Sequence, residues 1–191
     1  MTTTEFNKEI KNFQEEMCKL VTNVFKEAKE IRPMLAAYMY KKDAICKEIG
    51  ILSDFEPMLA NEVTKRALKE LFRDSLENVK PLVIAFITEG WGISINKYNN
   101  KSIEDIKKAM KGKRVSEMDD KIEVVYLTLE TAATHCNIVY KIDRTDKDNP
   151  VLIYDENLSG EWEPKNYEME GTLQNILNVD YHPIANLNSI N

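Results

Sequence analysis

The sequence predicts an α+β protein in which a helical N-terminal half packs on a small antiparallel sheet of about four strands. Three observations carry this. Apolar residues recur at steps of three and four through the first eighty positions, and at Pro81 the period changes to two. Beyond it, runs rich in β-branched and aromatic residues are separated by short polar turns. Residues 1–80 are therefore expected as a helical region. Residues 81–191 are expected as a sheet region with short helices and an acidic C-terminal segment. A chain of 191 residues is long enough to bury both in one integrated domain.

The first helix opens at Thr4, a good N-cap. Phe6, Ile10, Phe13, Met17, Leu20, Val24 and Ile31 alternate steps of four and three, with Glu27 filling one slot. That is a heptad seam, coiled-coil-like, running to about Arg32, where Pro33 breaks or kinks it. So narrow a stripe suits a helix partner, either a later helix of the chain or a second copy. Phe6, Ile10, Phe13 and Met17 are thus candidate self-association residues. Met34 to Ile49 reads as a second helix ending at Gly50, and Met58 to Val79 as a third ending at Lys80-Pro81.

From Pro81 to Lys97 the chain reads as a strand. Val83, Ala85, Ile87, Trp91, Ile93 and Ile95 share one face, with Glu89 among them; Leu82, Ile84 and Phe86 make the other face apolar at first. Gly90 and Gly92 around Trp91 indicate a bulge or a close backbone approach. Residues 98–101 form a turn and Ser102 caps a short helix through Met110. Strands follow at Lys121–Thr131, Ile138–Arg144 and Val151–Tyr154, an antiparallel meander with a loose connection over 131–135. The remainder is polar, with Trp162 and Tyr167 as anchors and a last helical piece from Thr172.

Composition narrows the function classes. Between Asp143 and Glu170 stand nine acidic and three basic residues, which accounts for the whole net charge of −6. An excess of cations on one face, the mark of a nucleic-acid binder, is not evident. The run Lys107, Lys108, Lys111, Lys113 and Arg114 has no Gly-rich phosphate loop beside it and reads as a solvated face. No apolar run approaches a membrane span, and the N-terminus lacks the pattern of a signal peptide. Three widely spaced cysteines, Cys18, Cys46 and Cys136, fit free thiols in a reducing cytoplasm.

The candidate chemistry is acidic. Glu89 and Glu123 each sit on the apolar parity of a strand, and Glu117 and Asp120 lie on the approach to the second. If the strands pair, the carboxylates meet near the sheet end. There they could hold a divalent cation and serve hydrolysis, with Glu89 and Glu123 as the catalytic pair. The same carboxylates could instead be salt-bridged by Arg114, Lys121 or Arg144. Other signals are weaker. His135 and His182 lack zinc spacing, and adjacent His135 and Cys136 on a strand point to opposite faces. Asp146-x-Asp148 lacks the glycine and glutamate of a calcium loop.

One pattern extends across the strand region. Glu89-Gly90-Trp91, then Ser116-Glu117 and Lys121-x-Glu123, then Tyr140-x-Ile142-x-Arg144, resembles a set of small phage and prophage proteins. Their pattern is E-[AG]-W … S-x-x-P-x-R-x-E … I-x-R. Asp119 stands at the proline position and Lys121 at the arginine position. The resemblance covers roughly residues 81–145 and implies a phage-like source without supplying an activity. The expectation is a phage-like accessory protein, cytoplasmic in the host and without cofactor. It would act by protein–protein interaction through the first helix and Trp91, with a metal-dependent hydrolase as the alternative.

Overall fold

The computed structural model describes residues 3–40, 47–53, 55–59, 61–79, 81–93, 115–119 and 121–165. The expected helix at 102–110, the basic run at 107–114, Asp120, Cys46, Tyr167, His182 and the helical piece from Thr172 lie outside them. The elements are α1 (Thr3–Ala28), β1 (Met34–Tyr40), β2 (Lys47–Leu52), a 3-10 turn (Glu56–Leu59) and α2 (Glu62–Val79). There follow β3 (Val83–Ile93), a second 3-10 turn (Val115–Glu117), β4 (Lys121–Glu130), β5 (Thr134–Asp143), β6 (Val151–Tyr154) and the two-residue β7 (Glu163–Pro164). All strands form one antiparallel sheet in the order β2-β1-β3-β4-β5-β6, with β7 also on β5.

The α+β class and the meander from β3 to β6 are as expected. The second helix is not: Met34–Tyr40 and Lys47–Leu52 are strands, so the described residues hold two α-helices where three were expected, and the sheet has more than four strands. The misreading has a physical cause. β1 lies between β2 and β3 and is buried on both faces, Ala36 and Tyr38 toward one core and Leu35 and Ala37 toward another. A strand covered twice loses its period of two, and Met-Leu-Ala-Ala favours helix by composition. A division at residue 80 would fall between two hydrogen-bonded neighbours, β1 and β3.

The helices cover opposite faces. α1 buries Phe13, Met17, Val21 and Phe25 against Ala36, Val83, Ala85, Ile87, Val125, Leu127 and Ile138, and Ile10 is buried one turn earlier. This stripe differs from the heptad seam: Val21 and Phe25 take the central positions, while Leu20 and Val24 sit on the flank. A sheet offers a broad surface, so the helix presents a wider stripe than a helix partner would require. The coiled-coil expectation is corrected accordingly. Ile10, Phe13 and Met17, expected at an interface, are core residues, each contributing about 1.5–3 kcal/mol of burial. Phe13 stacks on Tyr38 at 5.6 Å, and the Tyr38 hydroxyl donates to Glu9 Oε2 at 2.7 Å.

On the other face α2 presents Leu68, Phe72 and Leu76 to Leu35, Ala37 and Ile84, with Phe55 edge-on to Phe72. Its N-terminus is capped by Asn61, whose Oδ1 accepts from Val63 and Thr64 N–H. α1 stops at Ala28 instead of Arg32, because Lys29 takes a left-handed conformation (φ 62°) and its N–H closes on Phe25 O. The connection at 131–134 is a tight hairpin, held by Thr131 Oγ1 and Thr134.

Beyond β6 the chain runs on along β5. Asp155 N–H bonds Val139 O, Ser159 Oγ accepts from Val139 N–H, and Gly160 N–H bonds Asn137 O. Trp162 is the expected anchor: its indole N–H donates to Gln14 Oε1 at 2.8 Å, tying this edge to α1. Two ion pairs are built here. Lys165 meets Glu130 with both side chains almost fully buried, and Lys141 holds Asp155 at 2.5 Å.

Candidate functional site

The site lies where α1 has ended and the chain turns through Ile31 toward β1. β3 and β4 pair without interruption from Ile84↔Glu130 to Ile93↔Lys121, which sets Glu89 opposite Val125 and Trp91 opposite Glu123. The expected bulge is therefore absent from this ladder, and the glycines serve a close approach. A Cβ on Gly92 would stand 3.3 Å from both the Tyr126 hydroxyl and Val124 Cγ1, and one on Gly90 3.4 Å from the Tyr126 ring. Tyr126 thus lies across the strand, its hydroxyl donating to Trp91 O at 3.3 Å.

On the α1 face, Glu89, Trp91 and Glu123 come together, and Arg144 reaches them from just past the end of β5. Arg144 Nε donates to Glu123 Oε2, and its Nη2 stands 3.8 Å from Glu89 Oε2. The other Glu89 oxygen accepts the Ile31 N–H at 2.6 Å. Glu89 therefore fastens the α1–β1 connection to the sheet while sharing a guanidinium with Glu123. Burial pushes the Glu89 carboxyl above its usual range, against the Ile31 N–H and Arg144, with Glu123 and Glu30 adding to the rise. Beside this clasp Trp91 is 40% exposed, with Lys121 Nζ 4.8 Å from its ring centroid. Lys121 Nζ also donates to Ser116 O at 2.6 Å.

The sequence pairing of Glu89 with Glu123 is seen, and so is Arg144 as its counter-ion. The wider acidic group is not assembled. Glu117 is exposed on the 3-10 turn Val115–Glu117, and Asp120 lies outside the described residues. Among the described residues no group of three or more His, Cys, Asp or Glu is arranged to hold a metal ion. Chemically, two carboxylates that already share a guanidinium are poorly placed to take a divalent cation, since the cation must displace Arg144 or tolerate its charge. A cleft of about 430 Å³ adjoins Glu89, lined also by Glu30, Arg32, Pro33, Glu56 and Thr88.

The remaining candidates resolve structurally. Cys136 is buried under α1, its thiol donating to Gly160 O and pushed by burial to about 11, far from a nucleophile. Burial likewise raises the half-buried Cys18 thiol. Asp146 Oδ1 accepts from Asp148 and Asn149 N–H, making a turn. Among the described residues no helix is long and apolar enough to cross a membrane.

Three features were not anticipated: the Ile31 N–H as a ligand of Glu89, the buried Lys165–Glu130 pair, and the exposure of β6. The first two depend on long-range contacts that leave no local pattern. The third was open to inspection, since Val151-Leu152-Ile153-Tyr154 carries no charge to protect an edge. Comparison with known proteins gives no match: no family model, curated protein or solved structure is similar to the chain.

Proposed function

We propose that the chain is a non-catalytic accessory protein, of the kind phages and related elements encode, that acts in the host cytoplasm by binding a protein partner. The observation that carries this reading is the pairing of Glu89 and Glu123 with Arg144. A hydrolytic metal site needs carboxylates that converge in a cleft without a protein cation among them, whereas a binding module keeps them paired. Exposed apolar side chains at the same end of the sheet supply the second support. Trp91 on β3, and Val151, Ile153 and Tyr154 on β6, are each 40–52% exposed. Trp91 pairs with Glu123, and Leu152 of β6 with Ile142 of β5, on the edge that Arg144 follows.

Large aromatic side chains on rigid strands are favoured anchors of protein interfaces. The α1 seam is engaged with its own sheet, so the binding surface is assigned to this end of the sheet instead of to the helix. The test is in-cell cross-linking with a photoreactive aromatic residue replacing Trp91, against the same residue replacing Lys19 on the exposed side of α1. Discrete protein adducts from position 91 alone are expected. Equal or absent adducts from both positions would overturn the assignment.

A further inference from the structure

Among the described residues β6 ends the sheet, and its chemistry specifies what could extend it. We propose that the outer edge of β6 is a docking strand for an extended apolar segment of another protein that is flanked by Lys or Arg. This rests on the protein-binding reading above and names the partner's chemistry.

Asp155 N–H bonds Val139 O, so alternation along an antiparallel pair turns the N–H groups of Ile153 and Val151 toward β5. The N–H and C=O groups of Leu152 and Tyr154 then face outward, and among the described residues no strand lies beyond them. Val151 and Ile153 on one face and Tyr154 on the other are each about half exposed, while Leu152 packs into the α1 core and holds the strand in place. Natural edges are protected by charge, bulges or short length; β6 is short, at four residues, and a buried Pro150 precedes it, but nothing charged lies within it. An added strand would satisfy the outward groups and cover the apolar side chains.

Charge decides between a second copy and a different partner. Flanking β6, the exposed residues Asp146, Asp148 and Glu156 outnumber Lys147 and the Lys29 that lies near Asp146, and the charge of Arg144 is engaged by Glu89 and Glu123. A second copy laid antiparallel on β6 would set the acidic hairpin of each copy beside Glu156 of the other. A segment with cationic flanks would instead be attracted, and more strongly at low salt.

The test is fluorescence anisotropy of the intact chain with a synthetic peptide of alternating valines carrying lysines at both ends. The comparison peptide carries glutamates in their place. The lysine peptide is expected to bind at least about tenfold more tightly than the glutamate one, with the difference shrinking as salt rises. Tyr154→Pro removes one outward N–H and leaves the β5 ladder intact, so it should abolish binding while Tyr154→Ala retains it. In the unaltered chain, bound peptide should slow amide exchange at Leu152 and Tyr154 but not at Ile153, a readout independent of how the variants fold.

No binding of the lysine peptide, equal binding of both peptides, or unchanged exchange at Leu152 and Tyr154 would overturn the proposal. So would a dimer of the chain alone that Tyr154→Pro dissociates, because the occupant would then be a second copy. Adducts from position 91 together with a failed peptide titration would sink the β6 edge and leave the protein-binding function standing.

Discussion

Replacing Glu89 by Gln separates the structural and chemical roles of a half-buried carboxylate. The amide keeps an acceptor for the Ile31 N–H and loses the charge. Weakening that hydrogen bond from a charged to a neutral acceptor costs about 1 kcal/mol. Losing Arg144 costs about 0–1 kcal/mol, because the groups stand 3.8 Å apart with side chains 28% and 39% exposed. Opposing both is the burial of an ionised group, which already lifts the carboxyl above its usual range. At neutral pH the variant is therefore expected within about 1–2 kcal/mol of the parent.

The pH dependence carries the sharper test. A folded-state pKa above the unfolded value gives stability that is fully present below the unfolded pKa and lost as pH rises through the folded one. The parent should thus gain on Glu89→Gln as pH falls from neutral toward about 4, where the unfolded carboxyl titrates. Urea unfolding of both chains across that window measures the gap. Glu89→Ala should cost about 1–3 kcal/mol at neutral pH, since it leaves the Ile31 N–H without its acceptor, and its gap from the parent should widen toward acid as the Gln gap does. A gap between parent and Gln variant that stays flat, or narrows toward acid, would refute the argument.

Other outcomes follow from the same contacts. Lys165→Met should cost about 3–5 kcal/mol by leaving the Glu130 carboxylate buried, and adding Glu130→Met should restore most of it, both read by denaturant melts. Gly92→Ala should destabilise by about 1 kcal/mol, because Val124 is fully buried and cannot retreat from a Cβ at 3.3 Å. Gly90→Ala meets only an ordinary contact and should be neutral or slightly stabilising. Lys29→Gly should raise stability by about 0.5–1 kcal/mol by relieving the positive φ at the end of α1.

What could be read from the sequence was what local pattern controls. The alternation from Val83 to Ile93 and from Lys121 to Tyr154 is that of strands facing a core, and the meander is seen. α2 was legible because Leu68, Phe72 and Leu76 keep one helical face. β1 was not, because burial between two helices erased its alternation. The α1 seam named the right helix and partly the wrong stripe, since Val21 and Phe25 serve a sheet where Leu20 and Val24 would have served a helix. In the site, parity put Glu89 and Glu123 each on an apolar strand face, while Arg144 was one of three candidate counter-ions with Arg114 and Lys121, and the fold selects it. The Ile31 N–H could not be foreseen, because it depends on where α1 stops, and that is set by Lys29.

Held by Arg144, with Glu89 also tied to the Ile31 N–H, Glu89 and Glu123 should not take a cation. Thermal unfolding of the intact chain with and without millimolar Mg²⁺, Mn²⁺ or Ca²⁺, before and after chelation, tests it most directly. A ligand that binds only the native state must raise the midpoint. The midpoint should be unchanged with every metal. A reproducible rise that chelation reverses and Glu89→Gln abolishes would contradict it.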